Sequence, residues 1–102
     1  MVLQYYIMLT KGGRYEGEWK NDIREGYAKE YLPNGNWYKG EIKNEKYDGY
    51  GIFCFPNGDL FEGGWKKACP NGYGIFYSSL GFQIEWYFKG TKLNSFILII
   101  VA

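Results

Sequence analysis

Apolar and polar positions alternate with a period of two in short stretches of the chain. The clearest stretch, 15–19, reads YEGEW, in which apolar or small residues alternate with glutamates. Such alternation predicts a β-strand with one buried and one exposed face. The polar stretch 20–25 predicts a loop, and a second strand is predicted from 27 to 32. The Pro-Asn-Gly sequences at 33–35 and 56–58 are typical of tight turns, because proline presets φ and glycine accepts positive φ.

This pattern recurs with a period of 23 residues and needs no gaps. Blocks begin at Tyr15, Tyr38, Phe61 and Ile84, and the segment before Tyr15 matches the second half of a preceding unit. Glycines recur at 17, 40 and 63, at 26, 49 and 72, and at 12, 35, 58 and 81, while Trp19, Ile42, Trp65 and Phe88 share another position. The repeat predicts one array of β-hairpins over 1–90, followed by an apolar tail over 91–102.

The alternation also predicts the composition of the two faces of the sheet. The predicted aromatic face carries Tyr15, Gly17, Trp19, Tyr38, Gly40, Ile42, Gly51, Phe53, Phe55, Phe61, Gly63, Trp65, Gly74 and Phe76. Its rings can lie across the glycines of neighbouring strands, because glycine has no Cβ to block them. The opposite face is mixed and carries Tyr27, Tyr50 and Tyr73 among charged residues.

Three sets of residues are candidate binding surfaces, and each also has a purely structural explanation. The tyrosine row Tyr27, Tyr50 and Tyr73 suits a protein interface, or it serves only as strand packing. The aromatic residues Trp19, Phe53, Phe55 and Trp65 offer a groove for a peptide or helix, or they form the core. The lysine row Lys20, Lys43, Lys66 and Lys89 could contact anionic lipid headgroups, or it is a solvated rim beside glutamates.

Composition removes several classes of function. The chain has no histidine, which is the commonest general base and metal ligand. No serine or cysteine stands with a candidate base, and the glycines follow the sheet period rather than a phosphate-binding loop. We therefore predict no enzymatic activity, no cofactor and no metal site. The net charge of +1, from 12 basic and 11 acidic residues, argues against binding of nucleic acid.

The cysteines and the N-terminal residues give information about the cellular location of the protein. Cys54 and Cys69 form no CxxC pair, and the start MVLQYYIMLTKGG has no basic region before its apolar stretch. We expect free thiols and a cytoplasmic location, with association to the cytoskeleton or to membranes left open.

The tail contains seven consecutive apolar residues at 96–102. A membrane-spanning helix needs about 20 such residues, so this segment is not expected to span a membrane. Two interpretations remain: a terminal strand that covers the last open edge, or a chain that has been cut short.

The repeat resembles the MORN (membrane occupation and recognition nexus) repeat. The resemblance rests on YEGEWKN at 15–21, YKGEIKN at 38–44, GYGIFCFPNGD at 49–59, FEGGWK at 61–66 and GYGIF at 72–76. Several positions depart from the family pattern. Trp86 stands in place of a glycine in a block expected to lack its second strand, Ala28 replaces another glycine, and Ser78, Ser79 and Leu80 replace a Pro-Asn turn.

The resemblance implies an all-β fold, an elongated, twisted, single-layer antiparallel β-meander of repeated hairpins. In this family the array serves as a scaffold for partner proteins, including ciliary and cytoskeletal ones, or as a membrane-facing element. It also occurs as a module ahead of lipid kinases and lysine methyltransferases. The leading hypothesis is thus a scaffold that binds a protein or a second copy of itself. The alternative is a regulatory or phospholipid-facing fragment of a larger enzyme.

Overall fold

The computed structural model describes residues 3–10, 12–90 and 92–100, which form one open antiparallel sheet with its strands in sequence order. The strands are β1 (Leu3–Thr10), β2 (Gly13–Lys20), β3 (Ile23–Tyr31), β4 (Trp37–Lys43), β5 (Lys46–Cys54), β6 (Leu60–Lys66), β7 (Cys69–Tyr77), β8 (Phe82–Lys89) and β9 (Lys92–Ile100). The predicted all-β meander is confirmed, and its dimensions of 47 × 27 × 18 Å make it elongated. Within the described ranges there is no helix of the length and hydropathy needed to span a membrane.

The strands of each hairpin are joined by two-residue turns, which we call the hairpin tips. The tips are Asn21–Asp22, Asn44–Glu45 and Lys67–Ala68, and both residues of each have positive φ. Positive φ at both central residues is the geometry of a type I′ turn, whose twist matches that of the flanking strands. The predicted loop over 20–25 is therefore wrong, because β3 begins directly after the first tip. The charged residues at 24 and 25 belong to a strand.

The turns at the opposite ends of the strands follow the Pro-Asn-Gly prediction. In the first, the amide of Leu32 donates to the carbonyl of Asn36 and the amide of Gly35 donates to the carbonyl of Leu32. The same two bonds recur at 55–59 and at 78–82. The third turn keeps this geometry without proline or asparagine, because Gly81 retains the positive φ that the turn requires.

The core lies on the aromatic face, as the alternation predicts. Its buried residues are Tyr15, Ala28, Tyr38, Ile42, Phe61 and Trp65. Tyr38 shows why glycines are needed within the strands. A Cβ on Gly51 would overlap the Tyr38 ring, so the ring can cover β5 only because that position is bare backbone.

Strand β9 corrects one expectation about the fourth block. Residues 92–100 pair with β8, so the block has a second strand, and the terminal-strand interpretation of the tail holds for its described residues. Residues 101 and 102 of the tail, like residues 1, 2, 11 and 91, lie outside the described residues.

The register of β9 departs from the repeat by one residue. Gly63 pairs with Gly74, so the repeat would pair Trp86 with Ile97, but Trp86 pairs with Phe96. The reason lies at Ser95, which occupies the place of glycines with φ between +75° and +104° in the earlier units. A side chain disfavours that conformation. From Ser95 onward the one-residue shift exchanges the faces of the side chains, so Phe96 and Leu98 extend the aromatic face, whereas Leu93 keeps the repeat's pairing with Phe88.

Candidate functional site

The aromatic face is built on a bulge that recurs between the strands of three units, and in the first two units a tyrosine and a glutamate bridge it. The Tyr15 hydroxyl donates to the carbonyl of Glu18 at 3.1 Å, and the Glu18 carboxylate accepts the amide of Tyr27 at 3.2 Å. Tyr38 and Glu41 make the equivalent contacts in the second unit. Burial of its ring raises the pKa of Tyr15 to about 12. The third unit replaces both partners, with Phe61 for the tyrosine and Gly64 for the glutamate.

The first unit closes its part of the aromatic face with an ion-pair network. The Arg24 guanidinium donates to Glu30 at 2.6 Å and to Glu45 at 3.1 Å, and it lies 5.2 Å from the centre of the Tyr15 ring. The Tyr47 hydroxyl also donates to Glu30, at 2.6 Å. Burial and this hydrogen bond raise the pKa of Tyr47. The network thus sets one guanidinium between two carboxylates.

The remaining units leave an apolar recess of about 350 Å³, which we call the aromatic groove. It is lined by Tyr47, Phe53, Phe55, Phe61, Trp65, Ala68, Pro70, Phe76 and Trp86. The rings fix one another: Tyr38 stacks on Tyr47 at 3.8 Å between ring centres, and Phe61 lies 5.3 Å from Trp65 and 4.9 Å from Trp86. The groove is therefore preformed, with its walls held by ring contacts.

Two further recesses lie beside the hairpin tips and differ in charge. The recess associated with the second and third tips, about 600 Å³, is lined by Lys43, Asn44, Lys46, Asp48, Gly49, Trp65, Lys66, Lys67 and Asn71. We call it the basic cleft. The recess one repeat earlier, about 270 Å³, is lined by Glu25, Gly26, Tyr27, Glu41, Ile42, Lys43, Asp48 and Gly49. We call it the acidic cleft. One array thus presents two neighbouring recesses of opposite charge.

A family model described as MORN repeat matches three consecutive segments, 15–37, 38–60 and 61–79, which make up more than half of the chain. The chain belongs to the MORN repeat family. The matched segments begin at the block starts that the period of 23 residues predicts, and the block from Ile84 lies beyond them. No curated protein sequence matches the chain.

The aromatic residues that were selected from the sequence lie in two separate places on the MORN array. Phe53, Phe55 and Trp65 line the aromatic groove together. Trp19 lies apart from the groove lining, half-buried and edge-on to Tyr15 at 6.0 Å between ring centres.

The tyrosine row lies on the opposite face of the MORN sheet. Tyr27, Tyr50 and Tyr73 are all exposed. The Tyr50 hydroxyl donates to Glu62 at 2.8 Å, and this hydrogen bond raises the pKa of Tyr50. A single small partner cannot contact this row and the aromatic groove at the same time, because the sheet lies between them.

The lysine row is divided in the same way. Lys43 and Lys66 line the basic cleft, whereas Lys20 and Lys89 do not. The basic cleft also contains Lys46 and Lys67. They could not be selected from the lysine row, which compares only the residue after Trp19 and its equivalents Ile42, Trp65 and Phe88. The sequence does indicate this concentration of lysines, because Lys43 and Lys46 flank the second tip and Lys67 is the first residue of the third.

The groove also includes residues that were not selected as site residues. Tyr47 was overlooked because it fell in a segment predicted as a loop, and Trp86 was considered only as a departure from the glycine pattern. Cys54 and Cys69 are free thiols. Among the described residues there is no group of three or more metal-ligating side chains.

Proposed function

We propose that this MORN repeat protein is a non-enzymatic scaffold that binds a partner protein through the aromatic groove. The observation that supports the proposal is the preformed groove itself, in which packed aromatic rings remain partly exposed. Phe55, for example, keeps 37% of its surface exposed while packing at 5.1 Å on Phe53. Rigid aromatic surface binds partners at a low cost in side-chain entropy.

The setting of the scaffold is part of the same proposal. We place it in the cytoplasm, in a cytoskeletal or ciliary assembly, without cofactor or nucleic acid as ligand. The absence of histidine from the sequence supports the exclusion of a cofactor, the near-neutral net charge supports the exclusion of nucleic acid, and the cellular setting follows from what is common in the MORN family. Self-association is a second mode of assembly, because β9 pairs only with β8 among the described strands.

A comparison of two exposed aromatic residues on opposite faces tests the groove. Wild-type protein, Phe55→Ser and Tyr27→Ser would each be used to capture partners from the native cell. We expect captured partners to be retained by Tyr27→Ser and reduced at least roughly tenfold by Phe55→Ser, since only Phe55 lines the groove. Loss with Tyr27→Ser and retention with Phe55→Ser would transfer the proposal to the tyrosine row.

A second function is favoured by the basic cleft. Four lysines line it, and each lysine near an anionic membrane contributes about 1 kcal/mol of attraction. In this proposal the chain is a regulatory or phospholipid-facing module of a larger enzyme, such as a lipid kinase or a lysine methyltransferase. Its lysines would hold the module against the membrane.

Vesicle sedimentation tests the membrane function. Binding to phosphatidylserine vesicles that weakens with salt and is lost in Lys43→Gln/Lys66→Gln would support it. Neutral phosphatidylcholine vesicles and the variant Lys20→Gln/Lys89→Gln, whose lysines lie outside the cleft, are the controls. Equal loss in both double variants would point to a diffuse charge effect and count against the cleft.

A further inference from the structure

The third hairpin tip lacks the carboxylates of the first two. The substitutions along the repeat are Glu18, Glu41 and Gly64 at one position, Asp22, Glu45 and Ala68 at a second, and Glu25, Asp48 and Asn71 at a third. At a fourth position, Lys67 replaces Asn21 and Asn44. Four changes at one tip therefore all make the surface more positive.

Two of the changed residues, Lys67 and Asn71, line the basic cleft. Its lining includes a single carboxylate, Asp48, against four lysine side chains. Glu45, from the second tip, is absent from that lining and is held by Arg24 instead. The neighbouring acidic cleft, which shares Lys43, Asp48 and Gly49 with the basic cleft, contains three carboxylates and one lysine.

The basic cleft and the aromatic groove meet at the third hairpin. Trp65 lines both recesses. The two residues of the third tip divide between them, with Lys67 in the cleft and Ala68 in the groove. A chain that lies in the groove and leaves it past Trp65 therefore enters a region of positive charge.

We propose that the groove and the basic cleft form one bipartite site for a protein segment in which apolar or aromatic side chains stand next to acidic ones. The proposal rests on the groove-binding function above and adds the charge and orientation of the partner. The apolar side chains fill the groove, and the acidic side chains pair with lysines of the cleft. Charge complementarity of this kind selects partners and fixes their register.

A peptide partner suits this arrangement better than a membrane surface does. The four lysines line one recess of about 600 Å³ that includes a residue of the third tip, so they border a common space instead of forming a flat row. Lys20 and Lys89, which continue the row in both directions, lie outside the recess. A concave recess bordered by lysines can receive carboxylates from several sides, whereas a membrane attracts lysines that are spread over a plane.

Selection from a randomised peptide library displayed on phage tests the inference on the whole 102-residue chain. Wild-type protein and Phe55→Ser are used as baits, and only peptides lost with Phe55→Ser are counted. Enrichment of Asp or Glu beside apolar anchors supports the inference. Enrichment of apolar anchors without acidic neighbours overturns it but leaves the groove function standing. No enrichment that depends on Phe55 overturns both.

Charge reversal on selected peptides locates the acidic end. Lys66→Glu/Lys67→Glu should weaken binding roughly tenfold or more, while Lys39→Glu/Lys89→Glu, with the same change in net charge, should alter it less than about threefold. Circular dichroism confirms that both variants fold. Equal effects of the two double variants, or vesicle binding that depends on Lys66 and Lys67 while the peptides are unaffected, contradict the inference.

Discussion

At the scale of single residues, two tryptophans of the groove differ in one hydrogen bond. The Trp65 indole donates from Nε1 to the carbonyl of Gly51 at 3.2 Å. The Trp86 Nε1 is equally buried but has no acceptor among the described residues. A buried donor without an acceptor loses the stabilisation it had from water, whereas a bonded one keeps most of it.

This difference predicts unequal effects of the same substitution. Trp65→Phe should lower the free energy of unfolding by about 1–2 kcal/mol more than Trp86→Phe, because only the first leaves a buried carbonyl without its donor. Urea denaturation followed by circular dichroism measures both. Equal losses in the two variants would show that the hydrogen bond contributes nothing beyond the packing of the ring.

The buried phenols predict a loss of stability at alkaline pH. The pKa of Tyr15 is raised to about 12, and burial also raises the pKa of Tyr38. The folded chain therefore keeps protons that the unfolded chain releases near pH 10, so the free energy of unfolding should fall as pH rises from about 10 to about 12. Tyr38→Phe should make this fall shallower in urea titrations across that range, and an unchanged slope would contradict the assignment.

At the scale of elements, the hairpin tips carry the least expected backbone geometry. Lys67 and Ala68 have φ values of 50° and 67°, a region that glycine and asparagine favour and that alanine enters at a cost. The same geometry recurs at the first two tips without any glycine. Pairing of the strands on both sides of each tip imposes it.

Replacing alanine by glycine at the third tip should therefore stabilise the fold. Ala68→Gly is expected to raise the free energy of unfolding by about 0.5–1 kcal/mol, after allowance for the greater freedom of glycine in the unfolded chain. The matched control is Ala28→Gly, a buried strand position, which should lower it by a similar amount. Thermal denaturation of both variants checks the sign, and destabilisation by Ala68→Gly would count against strain at the tip.

These tips also show what the sequence could and could not predict. The period, the faces and the Pro-Asn-Gly turns were all readable, because each has a residue that the geometry requires. The first two tips begin with asparagine but lack the glycine that usually marks such turns, so 20–25 was taken for a loop and Tyr47 was missed as part of the groove. Lys46 and Lys67 were missed because only the residue after Trp19 and its equivalents was compared along the repeat.

At the scale of the whole molecule, the sheet formed by the described residues is open at both ends, and the end at β9 is strongly apolar. Phe96, Ile97 and Leu98 are exposed, and no charged residue follows Lys92 within the strand. Natural edge strands are usually protected by charges, proline or bulges, because unpaired backbone groups invite another strand. Two copies of β9 in antiparallel register would place their Lys92 residues at opposite ends, away from each other.

We therefore predict that the 102-residue chain self-associates through β9. Ile97 and Ile7 are 62% and 61% exposed on the two outermost described strands, so Ile97→Lys and Ile7→Lys add the same charge at equivalent cost to the fold. Sedimentation velocity over a range of concentrations should show association that Ile97→Lys weakens at least roughly tenfold and Ile7→Lys leaves intact. The reverse pattern would assign the contact to β1. Equal weakening by both would indicate head-to-tail pairing of β1 with β9, which builds open filaments instead of a closed dimer.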